Sequence, residues 1–384
     1  MTNDNIATAI GERLRRHREI IGMKVNQLAR QIGASRNTVT NYEAGKTVPG
    51  AADLIKIARV LGCTLNELVG NDDAAEQNPR FAFRAHRRIE KEPDIRVAAR
   101  RFLRAYREIE AIMDARLDVH LPDESFDPSE VSADRWIPAA ASRCRELLGI
   151  RLSGPERIAL LLERLGVRTL FFDFESKGLD GISVIQGDMS LIMLHRRGKA
   201  VERTITNAAH EFGHLVLHPH LFTVQAEEEL ANGRDYESEA KLFARHFLVP
   251  TDDLLRVWKD ERLAHLHVEH ALLLLKRVFH VSYWLLFHRL RDEALTPVEF
   301  PQLVARTKRL LGETGTARME DLEPQPMQTE DIESSTRFHR LIRSAFLQEK
   351  IGVAKVGELF QITVDRAKEI TFDWTAPKHE SVVE

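Results

Sequence analysis

Ala209-His210-Glu211-Phe212-Gly213-His214-Leu215 is the stretch on which the fold turns. Apolar residues recur at helical spacing from about Thr204 to Leu217, so the stretch is expected to be helical. His210 and His214 then lie one turn apart on one face, where both imidazoles can reach one metal ion. Glu211 stands beside them as a base for a bound water, the H-E-x-x-H arrangement of hydrolytic zinc. A solvated helix face carrying a Glu would show the same short pattern. A third protein ligand separates the two readings, because a catalytic zinc holds three protein groups and a water. The segment from Glu237 to Pro250 offers one: an expected helix with a carboxylate at its start, small Ala240 and Ala244 on the face of Glu237, and a proline stop. Small residues let this helix come close to the histidine helix, so that Glu237 closes a His, His, Glu set. Glu239 is the second candidate, two residues along and directed elsewhere on a helix.

Working outward, Val167 to Phe174, Gly181 to Ile185 and Leu191 to Leu194 read as short strands, separated by turns at Lys177-Gly178 and Gly187-Asp188. Ser153-Gly154-Pro155-Glu156 has the form of a capping box ahead of an apolar helix from Ile158 to Leu165, which Gly166 ends. Beyond the histidine helix the chain reads as helical nearly to its end, with breaks at Thr296-Pro297, Gly312 to Gly315 and Glu323 to Pro326. The expected class is mainly α with a small β-sheet, α+β. His218, His220 and His246 lie near the motif. Any of them would serve as a donor to an oxyanion, but helix-end or core roles are the commoner ones, and all three stay outside the catalytic set.

From Ile6 to about Gly70 five short helices are punctuated by Gly22, Gly33, Gly45 and Gly62. Within them Val25 to Ile32 reads as one helix, Gly33-Ala34 as a turn, and Ser35 as the N-cap of a second helix through Tyr42. Leu28, Ile32 and Val39 supply the apolar contacts. Gln27, Ser35, Arg36, Asn37, Thr38, Thr40, Asn41 and Lys46 are the polar residues a recognition element presents to bases and phosphates. Double-stranded operator DNA is the expected partner, bound by a homodimer because one short helix reads few bases.

The polar run Asn71 to Pro79 reads as a linker. Arg84, Arg87, Arg88, Arg100, Arg101, Arg104 and Arg107 then interleave with Val97, Phe102, Leu103 and Tyr106 at helical spacing. This is read as an amphipathic connector with a solvated basic face, in preference to an extra DNA contact. The domain plan is 1–70 DNA-binding, 71–135 linker and connector, 136–295 metal domain, and 296–384 a helical C-terminal region.

A length of 384 residues excludes a single small domain, and 43% hydrophobic with 29% charged residues excludes a disordered or collagenous chain. The net charge of −3 hides a basic first third and acidic stretches such as Glu227-Glu228-Glu229. Cys63 and Cys144 alone support neither a disulfide framework nor a cysteine zinc cluster. The N-terminal residues have no signal-peptide pattern and no apolar run is long enough for a membrane span, so a cytoplasmic location without membrane contact is expected.

Two resemblances follow. The segment from about Ile10 to Val69 resembles the Cro and phage-repressor type of helix-turn-helix, the Xre family. Leu14-Arg15-Arg16, Gln27-Leu28-Ala29, Ser35, Asn41 to Lys46, Pro49 and Leu54-Ile57-Ala58-Leu61-Gly62 carry it. It departs at Met23-Lys24-Val25-Asn26, where that family has a Ser or Thr cap. The segment from about Ala139 to Leu290 resembles the ImmA/IrrE family of zinc metallopeptidases. The helix Ala140 to Leu148, the strands, the H-E-x-x-H motif with His218, Glu237 to Pro250 and Phe279-His280-Val281-Ser282 carry that likeness.

The second resemblance implies a zincin-like, gluzincin-type endopeptidase in which His210, His214 and Glu237 bind Zn2+ and Glu211 is the catalytic base. It departs at Lys241, where that family has Asn; a Lys one turn after Glu237 is able to pair with it and compete with the metal. Together the resemblances imply a transcriptional regulator whose peptidase cleaves a repressor-type protein in a stress or mobile-element response. A transcription factor with a non-catalytic metal sensor, and an antitoxin or immunity module acting by partner binding, are the alternatives. The tail resembles a small helix-turn-helix-like segment of relatives of the second family, without a comparable basic surface.

Overall fold

The computed structural model describes residues 3–70, 80–81, 93–150, 158–172, 179–195, 200–222, 234–312, 323–327 and 336–375. The linker at 71–79, Arg84, Arg87, Arg88, the capping box at 153–156, the Lys177-Gly178 turn and the 227–229 acidic run lie outside them. Among the described residues no helix is long and apolar enough to cross a membrane. Two compact units emerge: Met1–Arg116 with Val184–Asp188 and Leu341–Glu384, and Leu117–Ser183 with Met189–Arg340.

The first unit begins with α1 (Asn3–Ile20), α2 (Val25–Ile32), α3 (Arg36–Glu43), α4 (Ala51–Leu61) and α5 (Leu65–Val69). Leu14, Leu28, Ile32, Val39, Ile57, Leu61 and Leu68 are buried together as its core. Gly33 closes α2 in the left-handed region at φ 74°, a conformation that a Cβ disfavours. The missing cap at Lys24 is made good from the other side, since the Gln27 Oε1 accepts from the Lys24 N–H at 2.9 Å. Arg18 ties α1 to the end of α3, its Nη2 donating to Glu43 Oε2 at 3.0 Å and its Nη1 to the Met23 carbonyl at 2.8 Å.

A two-residue strand β1 (Arg80–Phe81) pairs antiparallel with Ile185 and Val184. The helix that follows, α6 (Pro93–Ile112), corrects the reading of a solvated connector. Arg96 and Arg100 are buried, and Val97 joins the core of the five-helix domain. The arginines serve helix ends. Arg96 donates to the Ile20 carbonyl at the end of α1 (3.1 Å), Arg101 to the Arg59 carbonyl, and Arg104 to the Gly62 carbonyl at the end of α4 (3.3 Å). The last carbonyls of a helix lack intrahelical partners and carry partial negative charge, so guanidinium groups there satisfy acceptors and dipole together. Arg104 also binds both oxygens of Glu67 at 2.8 Å. Sequence reading missed this because arginines on a helix look alike whether they meet water or another helix's end.

Arg100 Nη1 donates to His17 Nδ1 at 2.8 Å. Burial, and then the Arg100 charge, push the His17 imidazole down to about 4, against opposing help from Glu67. An unfolded chain therefore binds a proton at His17 between about pH 6.5 and 4 that the folded chain refuses, so stability rises with pH across that window. The stability difference between wild type and His17→Gln is expected to shrink on acidification from pH 7 to pH 4.5, by about 3 kcal/mol at most. Thermal melts of both proteins over that range measure it; a constant difference would remove His17 as the titrating group.

The second unit holds α7 (Ala133–Leu148), α8 (Ile158–Glu163), β2 (Val167–Phe172), the first residues of β3 (Gly181–Gln186), β4 (Met189–His195) and α9 (Val201–Leu217). It continues through α10 (Tyr236–Leu248), α11 (Thr251–Asp260), α12 (Val268–Phe279), α13 (Tyr283–Asp292) and α14 (Phe300–Leu311). In the sheet β4 lies between β3 and β2, with β2 parallel to β4 from Val167 opposite Ser190 to Phe172 opposite His195. β4 is buried on both faces over its first six residues, which accounts for its unbroken apolar run. The architecture is mainly α with a small mixed sheet.

The last helices are α15 (Arg337–Leu347), α16 (Val353–Phe360) and α17 (Val364–Thr375). The pair α16–α17 repeats the backbone scheme of α2–α3. Gln361 is left-handed at φ 58°, and Thr363 Oγ1 accepts from Arg366 N at 3.3 Å where Ser35 accepts from Thr38 N at 3.0 Å. The charges of α17 pair with each other, Lys368 with Asp365 and Arg366 with Glu369, so no basic face results.

Candidate metal centre and nucleic-acid interface

The centre is built on α9 and α10, which lie against each other at Gly213. A Cβ on Gly213 would stand 3.0 Å from Phe243 Cδ1 and 3.3 Å from the Ala240 carbonyl, while Ala240 and Ala244 are buried. Small residues on both helices therefore set the separation, as the sequence suggested. Asp235 caps α10 by accepting from Ser238, and so fixes where Glu237 begins its first turn.

His210, His214 and Glu237 converge, each offering one ligand atom within 4.8 Å of the others. The two Nε2 atoms are 3.2 Å apart, and Glu237 stands 3.5 Å from each of them. Tetrahedral bonds of 2.0–2.1 Å give donor separations of about 3.3 Å, so this triangle matches a zinc-sized ion in both donor type and spacing. Burial raises the Glu237 carboxyl, but the two imidazoles outweigh it and hold the group far below the usual carboxylate range. It is ionised and ready to ligate at any ordinary pH.

Glu211, next in sequence to His210, is buried, and the Ser183 hydroxyl of β3 donates to its Oε2 at 2.5 Å. Gly181, two residues earlier in the same strand, leaves the space Glu211 occupies: a Cβ there would meet Glu211 Cγ at 3.1 Å and Oε1 at 3.3 Å. Neither contact was legible beforehand, because each depends on which strand residue lands beside α9.

Glu239 faces away from the triangle. Its carboxylate takes Nε and Nη2 of Arg234, both at 2.7 Å, and Nε2 of His218 at 2.9 Å. Lys241 is exposed, and among the described residues it forms no ion pair with Glu237. His218 is fully buried and is pushed down to about 3, first by burial. Its Nδ1 is 3.1 Å from His214 Nδ1, a contact the sequence signalled only through i, i+4 spacing. His246 is a core histidine, likewise down to about 3 through burial and then Arg289. His220 is half-buried, its ring 5.5 Å from that of Tyr236.

On the helix-turn-helix, Gln27, Ser35, Arg36, Asn37, Thr40 and Lys46 are exposed, and Thr38 and Asn41 are half-buried. Three hydroxyls already have local duties. Ser35 caps α3 and shares a 2.8 Å bond with the Thr38 hydroxyl, while Thr40 donates to the Arg36 carbonyl at 3.0 Å. The charged reach of this surface thus belongs to Arg36 and Lys46. Removing either as Ala is expected to weaken binding to random-sequence duplex and to lower the slope of log affinity against log salt by about one. Fluorescence anisotropy titrations at several salt concentrations read the slope, and an unchanged slope for both variants would place the DNA elsewhere.

Residues 9–69 match the family described as a helix-turn-helix domain, and residues 162–291 match the IrrE N-terminal-like domain. No curated protein matches the chain. The first match carries DNA-binding character and the second a metallopeptidase-like domain, on the segments where the recognition helix and the His, His, Glu triangle lie. In these two segments the chain is similar to a helix-turn-helix domain fused to an ImmA/IrrE-type domain.

Proposed function

We propose that the protein is a DNA-binding transcriptional regulator with a zinc-dependent endopeptidase, and that its substrate is a repressor-type protein cleaved in a stress or mobile-element response. The observation that carries the peptidase reading is the triangle of His210, His214 and Glu237 with Glu211 next in sequence to His210. His210, His214 and Glu237 would hold the ion, which supplies Lewis acidity toward a peptide carbonyl and lowers the pKa of a water. Glu211 takes the proton of the attacking water and delivers it to the leaving amine, so that one peptide bond and one water become a carboxylate and an amine. Ser183 holds Glu211 Oε2 and leaves Oε1 for that transfer. Arg36 and Lys46 anchor the chain on operator DNA, and a second copy supplies the other half-site. The repressor-type substrate and the stress role rest on the resemblance of the metal domain.

The test is a comparison of new protein N-termini in cells expressing the wild-type chain or Glu211→Gln, before and after DNA damage. Termini that depend on Glu211 and map to one DNA-binding protein are the expected result. Identical sets, with operator regulation intact in Glu211→Gln but lost in His210→Ala, would instead favour the non-catalytic metal sensor.

A further inference from the structure

Behind His214 a line of buried polar groups runs away from the triangle, and its donor and acceptor count admits one solution. Arg234 donates through Nε to Glu239 Oε1 and through Nη2 to Oε2, both at 2.7 Å, so both oxygens of Glu239 are acceptors. His218 Nε2 lies 2.9 Å from Oε2 and must therefore carry the proton of that bond. With its Nε2–H spent on Glu239, His218 turns its Nδ1 toward His214, where that nitrogen is placed to accept. His214 Nδ1, 3.1 Å away, must then donate to it.

From this we infer that Arg234, Glu239 and His218 are positioning residues that lock His214 in the Nδ1–H tautomer, leaving the Nε2 lone pair directed into the triangle with His210 and Glu237. The inference rests on the metal reading above and gives Glu239 a place in it: a support for a ligand, with no direct contact to the ion. Tyr236 closes the side of the line, its ring 5.0 Å from that of His218, and the Arg234 guanidinium lies 4.2 Å from the Phe126 ring centre. The guanidinium also donates to the Phe126 carbonyl at 3.1 Å, which fixes the far end. A fixed tautomer means that ligation spends nothing on moving a proton between ring nitrogens. Outer partners of this kind typically change metal affinity 10–100-fold.

The test uses the full chain labelled with 15N-histidine and freed of metal. Long-range 1H–15N correlation, with the His214 signals identified by their loss in His214→Ala, is expected to show the Nδ1–H tautomer. In the near-isosteric Glu239→Gln the amide can donate to His218 Nε2, so the line reverses and His214 shifts toward Nε2–H. Zinc affinity, measured by competition with a chromophoric chelator, should then fall about 10–100-fold with far-UV circular dichroism unchanged. An Nε2–H tautomer in the wild type, or Glu239→Gln binding zinc within about threefold of it, would overturn the inference. Failure of the wild type to bind zinc at all would overturn the metal reading instead, while the tautomer in the metal-free chain tests the line independently.

Discussion

Replacing Glu237 by Ala is expected to abolish stoichiometric zinc in the purified chain, the largest single effect on the metal centre. Glu237 is the only carboxylate of the triangle, and its ionised state is held by the two imidazoles it faces. Without it, His210 and His214 remain as two neutral ligands on one helix turn, and the negative charge that offsets a divalent cation is gone. Structural zinc sites bind with apparent free energies of about 10–16 kcal/mol, so losing one of three protein ligands should weaken binding by roughly a thousandfold or more. Elemental analysis after dialysis against a weak chelator reads this directly. Glu239→Ala, measured beside it, should retain zinc when the metal is supplied in excess, because Glu239 points at Arg234 and His218. Full zinc occupancy in Glu237→Ala would reassign the third ligand.

Glu211→Gln should remove peptide hydrolysis while leaving zinc in place. The amide keeps the shape of the side chain and can still accept from the Ser183 hydroxyl, but it cannot take a proton from water. General base catalysis is worth about 10²–10⁴ in rate, so the variant should cleave at no more than about one-hundredth of the wild-type rate. Paired zinc analysis and rate measurement on the same preparation decide the matter. A rate within about tenfold of wild type would transfer the base role to another group or end the peptidase reading.

The parts of the fold that could be read early are those where periodicity and punctuation act locally. The helices around His210 and Glu237, the turn at Gly33 and the cap at Ser35 depend on residues within about four positions of each other, and they stand where the chain places them. Strand β2 was also legible, although residues 173–174 of its expected extent lie outside the described residues. The arginines of α6 were misjudged because their partners, the carbonyls of Ile20, Arg59 and Gly62, sit some forty to eighty positions away. Local pattern holds no information about which helix ends a guanidinium will meet.

The same division runs through the metal site. Two histidines at i, i+4 and a carboxylate at the head of a later small-residue helix were determined by sequence alone, since helix geometry dictates which side chains share a face. Tertiary structure alone decided that Ser183 and Gly181 flank Glu211, that Glu239 turns to Arg234 and His218, and that Lys241 stays in water. Those outcomes depend on the angle at which α9 and α10 pack and on which strand residue lies beside them. That packing is fixed by the contact of Gly213 with Phe243 and Ala240, a fit of volumes between segments that no local spacing expresses.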